Sequence, residues 1–278
     1  MLSTAAFAHP GGGIVALSEH SVVFADSVEN FIWHLDRGKE PKRLVSKFHG
    51  HWLTRGLDGQ LYVEAFQASG GAWSSAAFRL DLPGAKLTEV AHHHDLGALA
   101  FAVDHDGSIL FQRGPSLASR RNGGESSFRP HPDQPVLENV TAYAWGSAGD
   151  LFYADRNQIR RIDQAGLTTM VAVIDGKVLE PRILNATDTP GISGLAIDDA
   201  GFVLATVPDL GKVYRVGKDR VPVEMSPSED GWRATGVAAF GDSVFLLESE
   251  TRASTSPRVR ILRSNGRIEF LSVPRLVK

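Results

Sequence analysis

The sequence predicts an all-β fold, a six-bladed β-propeller with about four antiparallel strands per blade, filling residues 1–278 as one domain. Three observations lead there. Six segments repeat one pattern: a short apolar strand, a turn often carrying Gly, and a second strand of successive apolar residues. These second strands begin at Val22, Leu61, Ile109, Leu151, Val203 and Val244, spaced 39 to 52 residues apart. The strand segments are short and rich in β-branched and aromatic residues, and no amphipathic helix interrupts them. Four short strands per repeat of forty-odd residues make a propeller blade rather than part of a sandwich.

Each element has its own signal. The turns before the second strands carry Leu57-Asp58-Gly59, His105-Asp106-Gly107, Ala148-Gly149-Asp150, Asp199-Ala200-Gly201 and Gly241-Asp242, and Gly and Asp accept the positive φ of tight hairpins. Third strands follow at Phe31–Asp36, Ala76–Asp81, Gln158–Asp163, Lys212–Val216 and Val259–Arg263. Fourth strands are expected at Arg43–Val45, Leu87–Val90, Thr168–Ala172, Val221–Met225 and Ile268–Leu271. The blades then span about 11–46, 50–91, 95–135, 139–174, 190–226 and 232–273. Blade three departs from the pattern, because Arg113 to Pro135 is loop-rich and its outer strands have no clear place.

Composition narrows the function classes. The chain has no Cys, which excludes disulfides, thiolate chemistry and Cys-ligated zinc. Its net charge is −3, with no basic block, so no nucleic-acid partner is expected. No stretch approaches the length of a membrane span, and Met1 to Gly13 lacks a basic leader, so a cytoplasmic chain is expected, with a secreted or periplasmic one left open. No G-x-S-x-G, P-loop, H-E-x-x-H or dinucleotide fingerprint occurs.

Unit four reads Gly146 to Gly166 as GSAGDLFYADRNQIRRIDQAG. It resembles an NHL repeat, and looser versions occur in Val22–Asp36 and Pro190–Gly201. The resemblance implies the propeller architecture, with Asp155 and Asn157 holding the turn between strands two and three. The related SMP-30 and gluconolactonase group resembles the chain in blade number. Its metal site uses a Glu before the first inner strand and an Asn opening a later blade. Here those places read Gly11-Gly12-Gly13 and Ser193-Gly194-Leu195-Ala196, which counts against a lactonase of that type.

The ten histidines are the unusual count. Seven of them, His9, His49, His51, His92, His93, His94 and His131, fall in the segments joining one blade to the next. Chance would place about two there. These segments share a face with the strand two to three loops, whereas His20 and His105 lie on the opposite face and His34 in a third strand. Imidazoles gathered at a channel mouth can hold a divalent ion with one position open to water. The chain is similar in His51 and His94 to the six-bladed peptidylamidoglycolate lyases, which implies a metal set of His49, His51 and His94 for zinc or calcium.

Other residues accompany them. Glu64 and Glu248, at the ends of second strands and without the Asn partner of the repeat, are candidate general bases. Trp52 follows His51 into the inner strand, and the insertion Phe66–Trp73 offers Trp73 as a ligand contact or, equally, the tip of an elongated hairpin. Arg55, in blade two's inner strand, and Arg233, before that of blade six, would receive an anionic ligand or cap a carboxylate such as Asp230. Three functions stay open: a metal-dependent lyase or hydrolase acting on a small molecule, a ligand-binding propeller without catalysis, and a protein-interaction scaffold.

Overall fold

The computed structural model describes residues 12–69, 72–82, 84–93, 100–121, 124–127, 136–174, 191–250 and 257–273. Six four-stranded antiparallel sheets follow one another, each built from four consecutive strands. Blade one holds β1 (Ile14–Ser18), β2 (Ser21–Asp26), β3 (Phe31–Asp36) and β4 (Lys42–Ser46); blade two holds β5 (Leu53–Arg55), β6 (Leu61–Ser69), β7 (Ala72–Asp81) and β8 (Lys86–His93). Blade three holds β9 (Phe101–Val103), β10 (Ile109–Arg113), β11 (Ser116–Arg121) and β12 (Gly124–Ser127). Blade four holds β13 (Val140–Trp145), β14 (Leu151–Asp155), β15 (Gln158–Ile162) and β16 (Thr168–Val173). Blade five holds β17 (Gly194–Ile197), β18 (Val203–Val207), β19 (Lys212–Val216) and β20 (Pro222–Pro227); blade six holds β21 (Trp232–Phe240), β22 (Ser243–Glu250), β23 (Arg258–Arg263) and β24 (Ile268–Ser272). The six-bladed propeller expected from the repeat is therefore the fold.

Burial follows position in the blade. β2 and β18 are buried along their whole length, because both faces of a second strand pack on neighbouring blades. That two-sided burial is why they read as unbroken apolar runs. The outer strands β4 and β24 are half-buried or exposed at every position. Apolar clusters accordingly lie between blades. One joins Ile14, Phe24 and Trp33 of blade one to Phe245, Val259 and Ile261 of blade six.

This cluster also closes the ring, since each sheet is complete from consecutive strands and none is lent to its neighbour. At the outer rim Glu269 of blade six meets Arg37 of blade one at 3.4 Å, and Arg263 Nη2 stands 3.2 Å from His20 Nδ1.

The turns behave as their residues require. In the β5–β6 turn Gly59 has φ +79°, and the Asp58 carboxylate accepts the Gln60 N–H at 3.0 Å. Gly201 repeats this at φ +80°, with Asp198 accepting the N–H groups of Ala200 and Phe202. Three strands depart from what the sequence predicts. Blade three does form outer strands, β11 and β12, and β8 runs on to His93 because the long β7 offers it a pairing edge as far as Ser75. His92 and His93 are thus strand residues and not connection residues.

Candidate functional site

The segment Lys47–Trp52 joins β4 to β5 and folds tightly onto blade two. Lys47 turns the chain with φ +59°, and the Phe48 N–H bonds to the Asn30 carbonyl at 2.9 Å. Gly50 then lies so close to β6 that a β-carbon there would stand 2.8 Å from the Glu64 carbonyl oxygen. Only glycine lets the chain pass at that distance. His49 and His51 flank it, and their rings meet edge to face at 4.5 Å between centroids.

Each imidazole has a defined neighbour. His49 Nδ1 donates to Asn30 Oδ1 at 2.6 Å, which leaves the ring's basic lone pair on Nε2. Asn30 is presented by the β2–β3 turn, itself held by the Asp26 carboxylate, which accepts the N–H groups of Val28 and Glu29 and the Trp33 indole. His51 Nδ1 stands 4.0 Å from Glu64 Oε2. The Glu64 side chain is 3% exposed. Burial pushes its carboxyl well above the usual carboxylate range, opposed only by the backbone N–H of His51. Behind it, between blades two and three, lies a cavity of about 30 Å³ lined also by Ser75, Phe101 and Arg120. That is room for a water molecule beside the acid.

The structure thus brings together His49, His51 and Glu64 and adds Asn30, which the sequence reading had not chosen. The signal was present: Asn30 occupies the Asn place of the repeat in unit one. His94 lies outside the described residues, as does the side chain of Trp73, although β6 and β7 pair out to Ser69 and Ala72 as an elongated hairpin. Trp52 is buried, and its indole donates to the Phe101 carbonyl at 2.8 Å, tying blade two to blade three.

The remaining residues fall elsewhere. Glu248 is fully buried between Arg258 Nε at 2.7 Å and Arg260 Nε at 2.8 Å. Burial raises its pKa, and the two guanidiniums pull it back. Arg258 also lies over the Trp232 ring at 3.9 Å and reaches Glu229 at 2.8 Å. Arg233 lies within β21 rather than before it, and approaches Asp209, not Asp230, at 3.7 Å. Arg55, at the far end of β5 from His51, donates to the carbonyls of Ala16 and Gly59 at 3.1 and 3.3 Å. The two arginines therefore sit at opposite ends of the propeller.

Asp155 and Asn157 bond to the blade connections. Asp155 accepts the Asn139 N–H at 2.8 Å, and Asn157 donates to the Ile174 carbonyl at 2.9 Å.

The metal site of the SMP-30 group does not fit these residues. A β-carbon at Gly12 would stand 2.4 Å from the Ser193 carbonyl oxygen, so no Glu can occupy that place. Ser193, where that group has Asn, spends its hydroxyl on the Thr235 carbonyl at 2.7 Å. Among the described residues no group of three His, Asp or Glu side chains is arranged to hold a metal ion.

No protein-family model matches the chain, and no curated protein matches it significantly. Solved structures do. Virginiamycin B lyase from Staphylococcus aureus is similar at 16% identity over 97% of this chain and 85% of its own, with a TM-score of 0.55. Regucalcin, a calcium-binding protein from Agrobacterium tumefaciens, is similar at 15% identity over 87% and 84%, TM-score 0.56. A gluconolactonase from Xanthomonas campestris is similar at 12% identity over 85% and 83%, TM-score 0.55. At such identities the likeness establishes the six-bladed fold. Among the described residues no helix is long and apolar enough to cross a membrane.

Proposed function

We propose that the chain is a propeller enzyme of NHL-like repeats, a lyase or hydrolase acting on a small molecule, with His49, His51 and Glu64 as its acid–base centre. One observation carries this reading: a carboxyl whose pKa burial raises stands 4.0 Å from one imidazole, which is packed against a second imidazole oriented by Asn30. Groups whose environments drive their protonation apart are what acid–base chemistry at neutral pH requires. Imidazole is the side chain best suited to accept a proton there, and His49 Nε2 carries the lone pair. In this reading Glu64, its pKa raised by burial, is the source of the returning proton. The neighbouring folds include lyases and gluconolactonases, which makes esters and lactones the first substrates to try. A zinc or calcium ion on His49, His51 and His94 is the metal-dependent form of the same reading, and no step above needs it.

The test is turnover of a lactone and ester panel by untagged full-length protein, after chelator treatment and again with zinc or calcium. Turnover surviving the chelator, and reduced about a hundredfold in His51→Gln, is the expected result. Dependence on added metal would turn the histidines from base to ligands. Turnover of nothing on the panel, or an unchanged His51→Gln, would sink the enzyme reading in favour of a ligand-binding or protein-binding propeller.

A further inference from the structure

The central lumen is not an even tube. At the blade-connection end the first strands crowd together: Gly12 of blade one reaches across to the Ser193 carbonyl of blade five, and Gly194 lies against the Gly236 backbone of blade six. Towards the other face the lumen widens into a cavity of about 380 Å³, the size of a small-molecule site. Its mouth is framed by turns between first and second strands, and all six of these turns lie among the described residues.

The wall is mixed but carries charge of one sign. Leu53, Leu195, Ile197 and Val237 give it apolar side chains, and polar groups, Thr54 and Ser147 among them, make up about as much of it. Among the described lining residues there is no carboxylate, and Arg55 is the single charge. Two of that guanidinium's N–H groups bond the Ala16 and Gly59 carbonyls, which fixes it at the rim. No carboxylate among the described residues pairs with it, and partial burial lowers its pKa. Trp145 lines the same cavity with a buried indole N–H that has no hydrogen-bond partner. Three acidic turn residues around the mouth are engaged locally. Asp58 takes the Tyr62 hydroxyl at 2.6 Å, Asp198 takes Arg215 at 2.7 Å, and Asp150 faces Arg161 at 3.4 Å.

We infer that the wide end of the lumen is a binding site for a small monocarboxylate with an apolar body, its carboxylate on Arg55 and its body among the first-strand side chains. A wall with one fixed cation and no carboxylate among its described lining discriminates by charge, because an alcohol or amine of the same shape leaves the guanidinium without its counter-ion. The site is separate from the His49–His51–Glu64 centre, which lies on the opposite face.

Calorimetric titration of the full chain with octanoate, 1-octanol and octylammonium tests this on the unaltered protein. Octanoate is expected to bind once and saturably, at least about tenfold more tightly than octanol, with no binding of the ammonium. Arg55→Met is expected to lose about tenfold or more for octanoate, Arg55→Lys to regain part of it, and His51→Gln to bind as the parent does. Equal affinity for octanoate and octanol, or an Arg55→Met variant that binds unchanged, would overturn the inference. Loss of octanoate binding in His51→Gln would place the ligand at the other face and overturn it equally. Failure of the enzyme reading shows only in turnover, so the two fail separately.

Discussion

Gly236 of blade six faces Gly12 of blade one so closely that a β-carbon on Gly236 would stand 2.3 Å from the Gly12 carbonyl oxygen. The neighbour is backbone, which cannot rotate aside, so the two first strands hold this distance only while position 236 is glycine. The contact sets the narrow end of the lumen and the seam between the last blade and the first.

Gly236→Ala should therefore cost about 1–3 kcal/mol through overpacking. Urea unfolding monitored by tryptophan fluorescence checks this. A variant as stable as the parent would show that the seam can part without loss.

Glu248 is the second structural keystone. Its carboxylate is buried between the guanidiniums of Arg258 and Arg260, two cations against one anion at the centre of the contact. Removing the anion from such a group costs about 3–5 kcal/mol, because the facing charge stays buried. Glu248→Ala is expected to unfold at markedly lower urea than the parent. A near-neutral substitution would instead fit a role for Glu248 in turnover.

The architecture was legible because a propeller writes itself locally: Gly and Asp at each turn, an unbroken apolar second strand, and a repeat short enough to count. The site was legible only in part. His49, His51 and Glu64 stand in one sequence neighbourhood, and the β5–β6 hairpin brings them together. Asn30, marked only by its place in the repeat, joins them through the neighbouring blade by the curl of Lys47–His51. The opposed ends of Arg55 and His51 follow from the direction of β5, which a list of residues near the channel does not resolve. Glu248 looked open because its partners lie across the β22–β23 pairing, and only the register places Arg258 opposite it.

Glu64 gives a pH signature. Its folded pKa lies well above the ordinary value because burial penalises the charge. The folded state therefore binds this proton more tightly than the unfolded chain does. The contribution is full below the unfolded carboxyl value of about 4.3 and is lost as pH rises through the folded value. Relative to Glu64→Gln, the parent should lose thermal stability steadily as pH rises from about 4.5. Parallel Tm curves for the two proteins would show that Glu64 is ionised at no cost, and the protonated-acid role would go with it.

Trp52 separates packing from ligand binding. Its indole N–H donates to the Phe101 carbonyl at 2.8 Å, and the ring sits 4% exposed between blades two and three while also touching the lumen. Trp52→Phe keeps an aromatic body but leaves that buried carbonyl without its donor, at a cost of about 1–3 kcal/mol. Because the apolar ring remains on the lumen wall, octanoate affinity should change by less than about threefold. Urea unfolding and titration of the same variant measure both. Stability retained with binding lost would make Trp52 a ligand contact, whereas the reverse assigns it to the blade seam.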